Sequence, residues 1–244
     1  MAPTKKNPSK TDPYKSLKEE AWEANIEIPR RNLAIYTWGN VSAFDPDKGV
    51  FAIKPSGVAY DQLTPESMVL VDLEGQVVGG KLNPSSDTET HRVLYRNFSG
   101  IRGITHTHSP YAVAWAQARR SVPVYGTTHA DHCAAEIPCT VIMDAQAVKN
   151  NYELETGNLI VAMFQKKKID PLHSPMALVA GHGPFTWGKS AAQSVYHGAV
   201  LEEICKMAQL TLAIDPRAAA LPEYIIRKHW ERKHGPAAYY GQKK

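Results

Sequence analysis

Between residues 40 and 78 the chain runs through four short β segments, at about 41–44, 50–53, 68–72 and 76–78, with Glu74-Gly75 reading as a hairpin turn between the last two. Hairpin-connected strands predict a mixed or antiparallel sheet with the helices of the chain packed on it. The helical patterns are interleaved irregularly with further strands. Ser16-x-x-Glu19 is a capping-box pattern opening a helix over about 16–28, which Pro29 should end, with Leu17, Ala21, Ala24 and Ile28 as its apolar stripe. More helices are expected over about 88–97, 111–118, 158–168, 190–214 and 222–234. Ser190 and Gln193 open the fifth of these six, Asp215-Pro216 stops it, and Gly235 is a natural cap for the last. Strands are expected in the run carrying His106 and His108, at 121–125, at 140–143 and at 176–180, and a polar loop spans 126–132. No internal repeat is visible.

At 244 residues the chain suits one domain with a large core, read as a catalytic domain over 16–244 that includes the C-terminal segment. Residues 1–15, rich in Pro, Ser, Thr and Lys without apolar periodicity, read as a flexible basic tail. With 43% hydrophobic and 21% charged residues the composition is that of a folded globular protein. No apolar run is long enough to cross a bilayer and no signal peptide is evident, so the expected location is the cytoplasm, without a membrane partner. The three cysteines, Cys133, Cys139 and Cys205, show no Cys-x-x-Cys spacing, which speaks against both a disulfide framework and a thiolate metal site. A net charge of +4 suits an anionic substrate but is too small to argue for nucleic acid.

His106-Thr107-His108 follows an apolar run. On a strand, residues two apart face the same way, so both imidazoles would point into one cavity. His182, between Gly181 and Gly183 after another apolar run, is a third imidazole that its glycines allow to be aimed at a site. Asp87 in Pro84-Ser85-Ser86-Asp87-Thr88 adds a carboxylate, although Ser85, Ser86 or Asp87 would each serve equally as the N-cap of the following helix. Three imidazoles and a carboxylate suit zinc better than the oxygen-seeking magnesium or calcium. Two stretches, Thr37-Trp38-Gly39-Asn40 and Lys54-Pro55-Ser56-Gly57, place amides and polar groups near glycine, and Ser85 and Ser86 stand at a helix N-terminus. Together these could hold a phosphate; singly, each is ordinary turn chemistry. Neither a dinucleotide nor a Walker glycine loop is present.

The blocks Thr37-Trp38-Gly39-Asn40-Val41-Ser42, Ile53-Lys54-Pro55-Ser56-Gly57-Val58, Pro84-Ser85-Ser86-Asp87-Thr88, His106-Thr107-His108-Ser109, Gly126-Thr127-Thr128-His129-Ala130-Asp131, His182-Gly183-Pro184-Phe185 and Ala238-Tyr239-Tyr240-Gly241 stand in an order that resembles the L-ribulose-5-phosphate 4-epimerases of the class II sugar-phosphate aldolase superfamily. The resemblance covers almost everything from the first helix to the C-terminus. It implies an α/β fold with a mixed, largely antiparallel sheet between helix layers, and a fourfold-symmetric homotetramer with active sites at subunit boundaries. It also implies zinc, with manganese or cobalt as alternatives, bound by Asp87, His106, His108 and His182. A phosphate pocket of Asn40, Lys54, Ser56, Gly57, Ser85 and Ser86 follows, with an acid/base pair of Asp131 and Tyr240 contributed by the neighbouring chain. The lysine-rich N-terminal extension departs from the pattern and touches no motif.

The implied activity is epimerisation at C4 between L-ribulose 5-phosphate and D-xylulose 5-phosphate, as in arabinose catabolism. The C4 hydrogen is not adjacent to the C2 ketone, so simple proton removal fails, and no nicotinamide site is visible for oxidation. Breaking and re-forming the C3 to C4 bond instead leaves an enediolate that a divalent metal can stabilise. The C4 oxygen then needs a proton donor or acceptor on each side, a task suited to Asp131 and Tyr240. Alternatives are an aldolase of the same superfamily acting on a deoxyketose 1-phosphate, expected to carry Glu where this chain has Asp87, and a non-catalytic scaffold like the adducin head. The roles of His129, His132, His229 and Glu153 stay open.

Overall fold

In a computed structural model, which describes residues 12–234 and 238–239, the elements run α1 (Lys15–Arg30), β1 (Asn40–Asp45), β2 (Val50–Ile53), β3 (Val69–Asp72), β4 (Val77–Gly79), α2 (Thr88–Asn97), β5 (Gly103–His106), α3 (Pro110–Gln117), α4 (Thr127–Ala130), α5 (Ala145–Lys167), β6 (Met176–Leu178), β7 (Pro184–Gly188), α6 (Ala191–Ile214) and α7 (Glu223–His234). The seven strands form one sheet in the order β4-β3-β2-β1-β5-β7-β6. Every neighbouring pair in it is antiparallel.

Strand alternation builds two apolar layers at once. Phe51 and Ile53 of β2 and Val69 and Val71 of β3 face a core completed by Leu94 of α2 and Phe98 just after it, Ile160 and Phe164 of α5, and Trp187. Val41, Ala43, Val50, Ala52 and Leu70 face the opposite way, onto Leu17, Ala21, Ala24 and Ile28 of α1 and Val195 of α6. The sheet centre is therefore covered on both sides, and burying one large apolar side chain in such a layer contributes about 1.5–3 kcal/mol. A third cluster, with Trp115, Leu178, Leu201 and Ile204, packs α3 and α6 at the β6 edge.

Several elements depart from the sequence expectations. α1 starts before Ser16, with Asp12 accepting from the Tyr14 N–H and from Lys18 in place of a Ser16 box. It also continues through Pro29 to Arg30, because a proline in the last turn sacrifices one backbone bond while the Arg31 N–H still returns to Glu27. β5 ends at His106, so His108 lies beyond the strand. Segments 121–125 and 140–143 form no strand; the first has a single bridge, Val122 to Ile137, and the second follows one, Cys139 to Leu178. β7 was not expected, and part of the 126–132 loop is the helical turn α4. α5 begins well before residue 158, since Asp144 caps it by accepting from Gln146 and Ala147, and it bends at Asn151, whose side chain accepts from Leu154. Ser190 caps α6 as anticipated, with Gln193 returning to the Lys189 N–H. Gly235 lies outside the described residues.

Antiparallel pairing also sets where functional groups gather. The start of one strand lies beside the end of the next, so Asn40 opposes His106 and His106 opposes Phe185 across three strands. Lys54, just past the end of β2, arrives at the same rim because Ile53 pairs with Ser42.

Candidate active site

Three imidazoles converge at this rim. One ring nitrogen from each of His106, His108 and His182 falls within 4.8 Å of the others. His106 is buried, stacks on Phe185 at 4.3 Å, and donates from Nδ1 to the Pro184 carbonyl at 2.9 Å, which leaves Nε2 as its lone-pair donor. That Nε2 lies 3.1 Å from Nε2 of His108. Gly39 is required here: its φ is +77°, and a Cβ would lie 2.7 Å from the His106 carbonyl oxygen.

Burial pushes the His182 imidazole down to about 3, with His106 adding to the effect, and pushes His108 down as well. Neutral imidazoles with lone pairs converging on a point are the state a metal requires. The buried Nδ1 of His182 has no partner among the described residues. Three histidines with room for a further ligand match the donor set of catalytic zinc sites, so the residues fit a divalent cation.

Asp87 stands outside this tight trio but beside it. Its carboxylate does not cap α2; Oδ2 accepts from Asn40 Nδ2 at 2.7 Å. Burial alone would raise its pKa, but His106, His91, His182 and the Asn40 hydrogen bond hold it below the usual carboxylate range. His91, one turn further along α2, was not singled out in the sequence. It is fully buried, bonded through Nδ1 to Ser42 Oγ at 2.7 Å, while its Nε2 has no partner among the described residues. The i to i+4 spacing from Asp87 was the available signal.

Asn40, Lys54, Ser56, Gly57, Ser85, Ser86, Asp87 and His108 line a single cavity of about 520 Å³. Two backbone bonds fasten its walls, Ser56 N–H to Asn83 and Ser85 N–H to Lys54. The Ser85 amide is thereby occupied, so its hydroxyl rather than its N–H faces the question of an anion. Lys54 is only 2% exposed, and its Nζ reaches two carbonyls, Thr37 at 3.3 Å and Pro55 at 3.5 Å. Burial pushes this ammonium down to about 8. The Tyr60 ring lies 5.1 Å from Nζ as well, yet an ammonium buried against carbonyls and a ring face is costly unless an anion joins it.

Asp131 is not in this cavity. It follows α4 and faces α7, where Arg232 and His229 bind its carboxylate. Tyr240 lies outside the described residues. Of the histidines left open, His129 is buried and bonded to the Ala135 carbonyl at 3.0 Å, and His132 lies against Tyr196. Glu153 uses its backbone carbonyl to accept from Thr90. All three cysteines are unpaired. No helix among the described residues is long and apolar enough to cross a membrane.

Residues 19–209 match the Class II Aldolase and Adducin N-terminal domain family. The chain is 46% identical over 227 residues, 93% of its own length and 99% of the relative's, to L-ribulose-5-phosphate 4-epimerase UlaF of Salmonella paratyphi B. It is 47% identical over the same shares to UlaF of Salmonella paratyphi C. Among solved structures, an L-fuculose 1-phosphate aldolase superposes with a TM-score of 0.75 at 21% identity, covering 89% of this chain and 95% of that one. The L-fuculose 1-phosphate aldolase from Glaciozyma antarctica PI12 gives 0.73 at 19% identity, covering 96% and 90%. At such identities the structures speak for the fold alone.

Proposed function

The chain belongs to the class II aldolase and adducin N-terminal domain family, and from that premise we propose that it is an L-ribulose-5-phosphate 4-epimerase, an isomerase that inverts C4 by breaking and re-forming the C3 to C4 bond. The observation that carries the reading is the shared cavity. A buried Lys54 without an acid partner among its hydrogen bonds stands in the same 520 Å³ space as Asp87 and His108. Such a space takes a phosphate near Lys54 and presents the rest of a short sugar to the imidazoles. The near full-length likeness to the UlaF epimerases selects the substrate, a pentulose 5-phosphate.

In this reading His106, His108 and His182, with Asp87 beside them, hold a divalent metal, zinc by the softness of the donors, with manganese or cobalt as the replacements this set tolerates. When bound, the metal supplies Lewis-acid charge next to the C2 and C3 oxygens. Lys54, Ser56, Gly57, Ser85, Ser86 and Asn40 grip the phosphate and keep the two-carbon fragment from leaving while it rotates. Asp131 and Tyr240 exchange the proton of the C4 oxygen, one on each face. Asp131 lies outside its own chain's metal cavity, which supports a site completed by a neighbouring subunit. The reading extends to a homotetramer with active sites at subunit boundaries, working in the cytoplasm on pentose phosphates such as those of arabinose breakdown.

The test is turnover of L-ribulose 5-phosphate by the purified, metal-replete protein. The expected result is D-xylulose 5-phosphate with almost no free glycolaldehyde phosphate. Efficient release of a three-carbon product from a deoxyhexulose 1-phosphate, without epimerisation, would replace the reading with an aldolase.

A further inference from the structure

We infer that Arg232 is a positioning residue, one that turns the Asp131 carboxylate so that Oδ2 is the oxygen left to accept a proton. The inference rests on the proposed acid/base role of Asp131. Its geometry is independent of that role. Arg232 donates from Nε to Oδ1 at 2.9 Å and from an Nη to Oδ2 at 2.5 Å, the two-pronged fork that a guanidinium makes with a carboxylate.

His229, one turn earlier on α7, donates from Nδ1 to Oδ1 at 3.0 Å. Oδ1 therefore accepts two hydrogen bonds. Among the described residues Oδ2 accepts one, because the Lys233 ammonium stands at 3.6 Å, beyond hydrogen-bonding reach. His234 fixes the other end of the residue, with Nε2 donating to the Asp131 backbone carbonyl at 3.0 Å. A short loop residue is thus held by hydrogen bonds from a single helix, at positions 229, 232 and 234, with the Lys233 ammonium close by.

The same contacts set the charge. Burial would raise the Asp131 pKa, but the Arg232 and His229 hydrogen bonds and the Lys233 ammonium hold it below the usual carboxylate range. The charged or titratable groups that face it among the described residues are His229, Arg232, Lys233 and His234 from α7 and His132 beside α4, and none of them is a second carboxylate. An ionised carboxylate starts the cycle as the proton acceptor. Sharing Oδ2 with one guanidinium N–H lets the oxygen take up a proton without breaking the Oδ1 contacts.

The test compares pH profiles of the full chain for wild type, Arg232→Gln, Arg232→Lys and Asp131→Asn, with metal content and melting temperature measured in parallel. Arg232→Gln is expected to lower kcat by up to about 100-fold, the scale of one general acid–base contribution, with KM and metal content unchanged. Its acid limb should move up by about one pH unit, as loss of one close cation predicts. Arg232→Lys should bring the limb back towards wild type while kcat stays low, since it restores charge but not the fork. A role confined to pinning α7 would lower the melting temperature and leave the limb in place, which overturns the inference. Should Arg232→Gln not fold, wild-type kcat in Arg232→Lys overturns it instead. If Asp131→Asn turns over normally, the acid/base role of Asp131 itself fails; if only the Arg232 variants are normal, the inference alone fails.

Discussion

The rim of the sheet and the α4–α7 junction present opposite kinds of polar group. At the rim, polar atoms are buried with partners missing: Lys54 meets two carbonyls and the face of the Tyr60 ring but no carboxylate among its hydrogen bonds, and His182 Nδ1, His91 Nε2 and Asn40 Oδ1 have no partner among the described residues. At the junction, the single carboxylate of Asp131 is held by a guanidinium and an imidazole, with an ammonium close by. The first region is under-satisfied, as a cavity awaiting a ligand would be. At the second the Asp131 carboxylate is satisfied by its own chain, although the buried Nδ1 of His129 on α4 has no partner among the described residues. A binding cavity tolerates desolvated groups because the ligand later satisfies them, whereas a group that exchanges protons at every turnover must be fixed before the substrate arrives.

The comparison breaks most visibly at the imidazoles. His108→Ala removes one of three converging nitrogens, and because losing even an outer-shell partner of a ligand costs about 10–100-fold in metal affinity, losing the nitrogen itself should cost more. Elemental analysis and chelator competition read this directly, and undiminished metal in the variant would take His108 out of the site. Next in size is Lys54→Met. A charge-assisted hydrogen bond is worth about 1.5–3 kcal/mol, so KM should rise roughly 10–100-fold with fold and metal content intact, and an unchanged KM would reassign Lys54 to packing.

A smaller effect follows from the Lys54 pKa of about 8. Without substrate the ammonium loses its proton through that value, so phosphate affinity should fall about tenfold between pH 7 and pH 9, seen as a rising KM. The stability of the free protein moves the other way. Its unfolded chain keeps the proton up to the ordinary 10.5, so between about 8 and 10.5 this lysine makes the folded state more stable as pH rises. A KM flat across that interval would show that Lys54 does not meet the phosphate. The smallest expected change is in metal content on Asp131→Asn, which should be none, because Asp131 belongs to the other region; loss of metal there would merge the two.

Much of the architecture was legible along the chain. Short apolar runs bounded by turn residues identified β2 and β3, Ser190 and Asp215-Pro216 bounded α6, and the Glu74-Gly75 turn placed the β3–β4 hairpin, since each is a local signal carried by adjacent residues. β7 escaped because its short Phe-Thr-Trp alternation is bounded by Pro184 and Gly188, residues that read as turn chemistry after the Gly181-His182-Gly183 turn. The early start of α5 escaped because Asn151 interrupts the helical period after the Asp144 cap. Asp87 had two readings in sequence, cap and ligand; its bond to Asn40 leaves the capping role unused.

What the sequence determined by itself was the inventory: a His-x-His run, a glycine-flanked histidine, a lysine beside a Pro-Ser-Gly turn and a family likeness that reaches almost the full chain. Local chemistry suffices for that, because a residue type and its neighbours fix what an atom can donate or accept. Only the tertiary structure decided which of these share a space. Antiparallel register places Asn40, Lys54, His106 and the turn carrying His182 on one rim, and helix packing sets His229 and Arg232 on Asp131 across about a hundred residues of chain. Such pairings are enforced by burial of two apolar layers shared by the whole sheet, and no stretch of the chain read alone contains them.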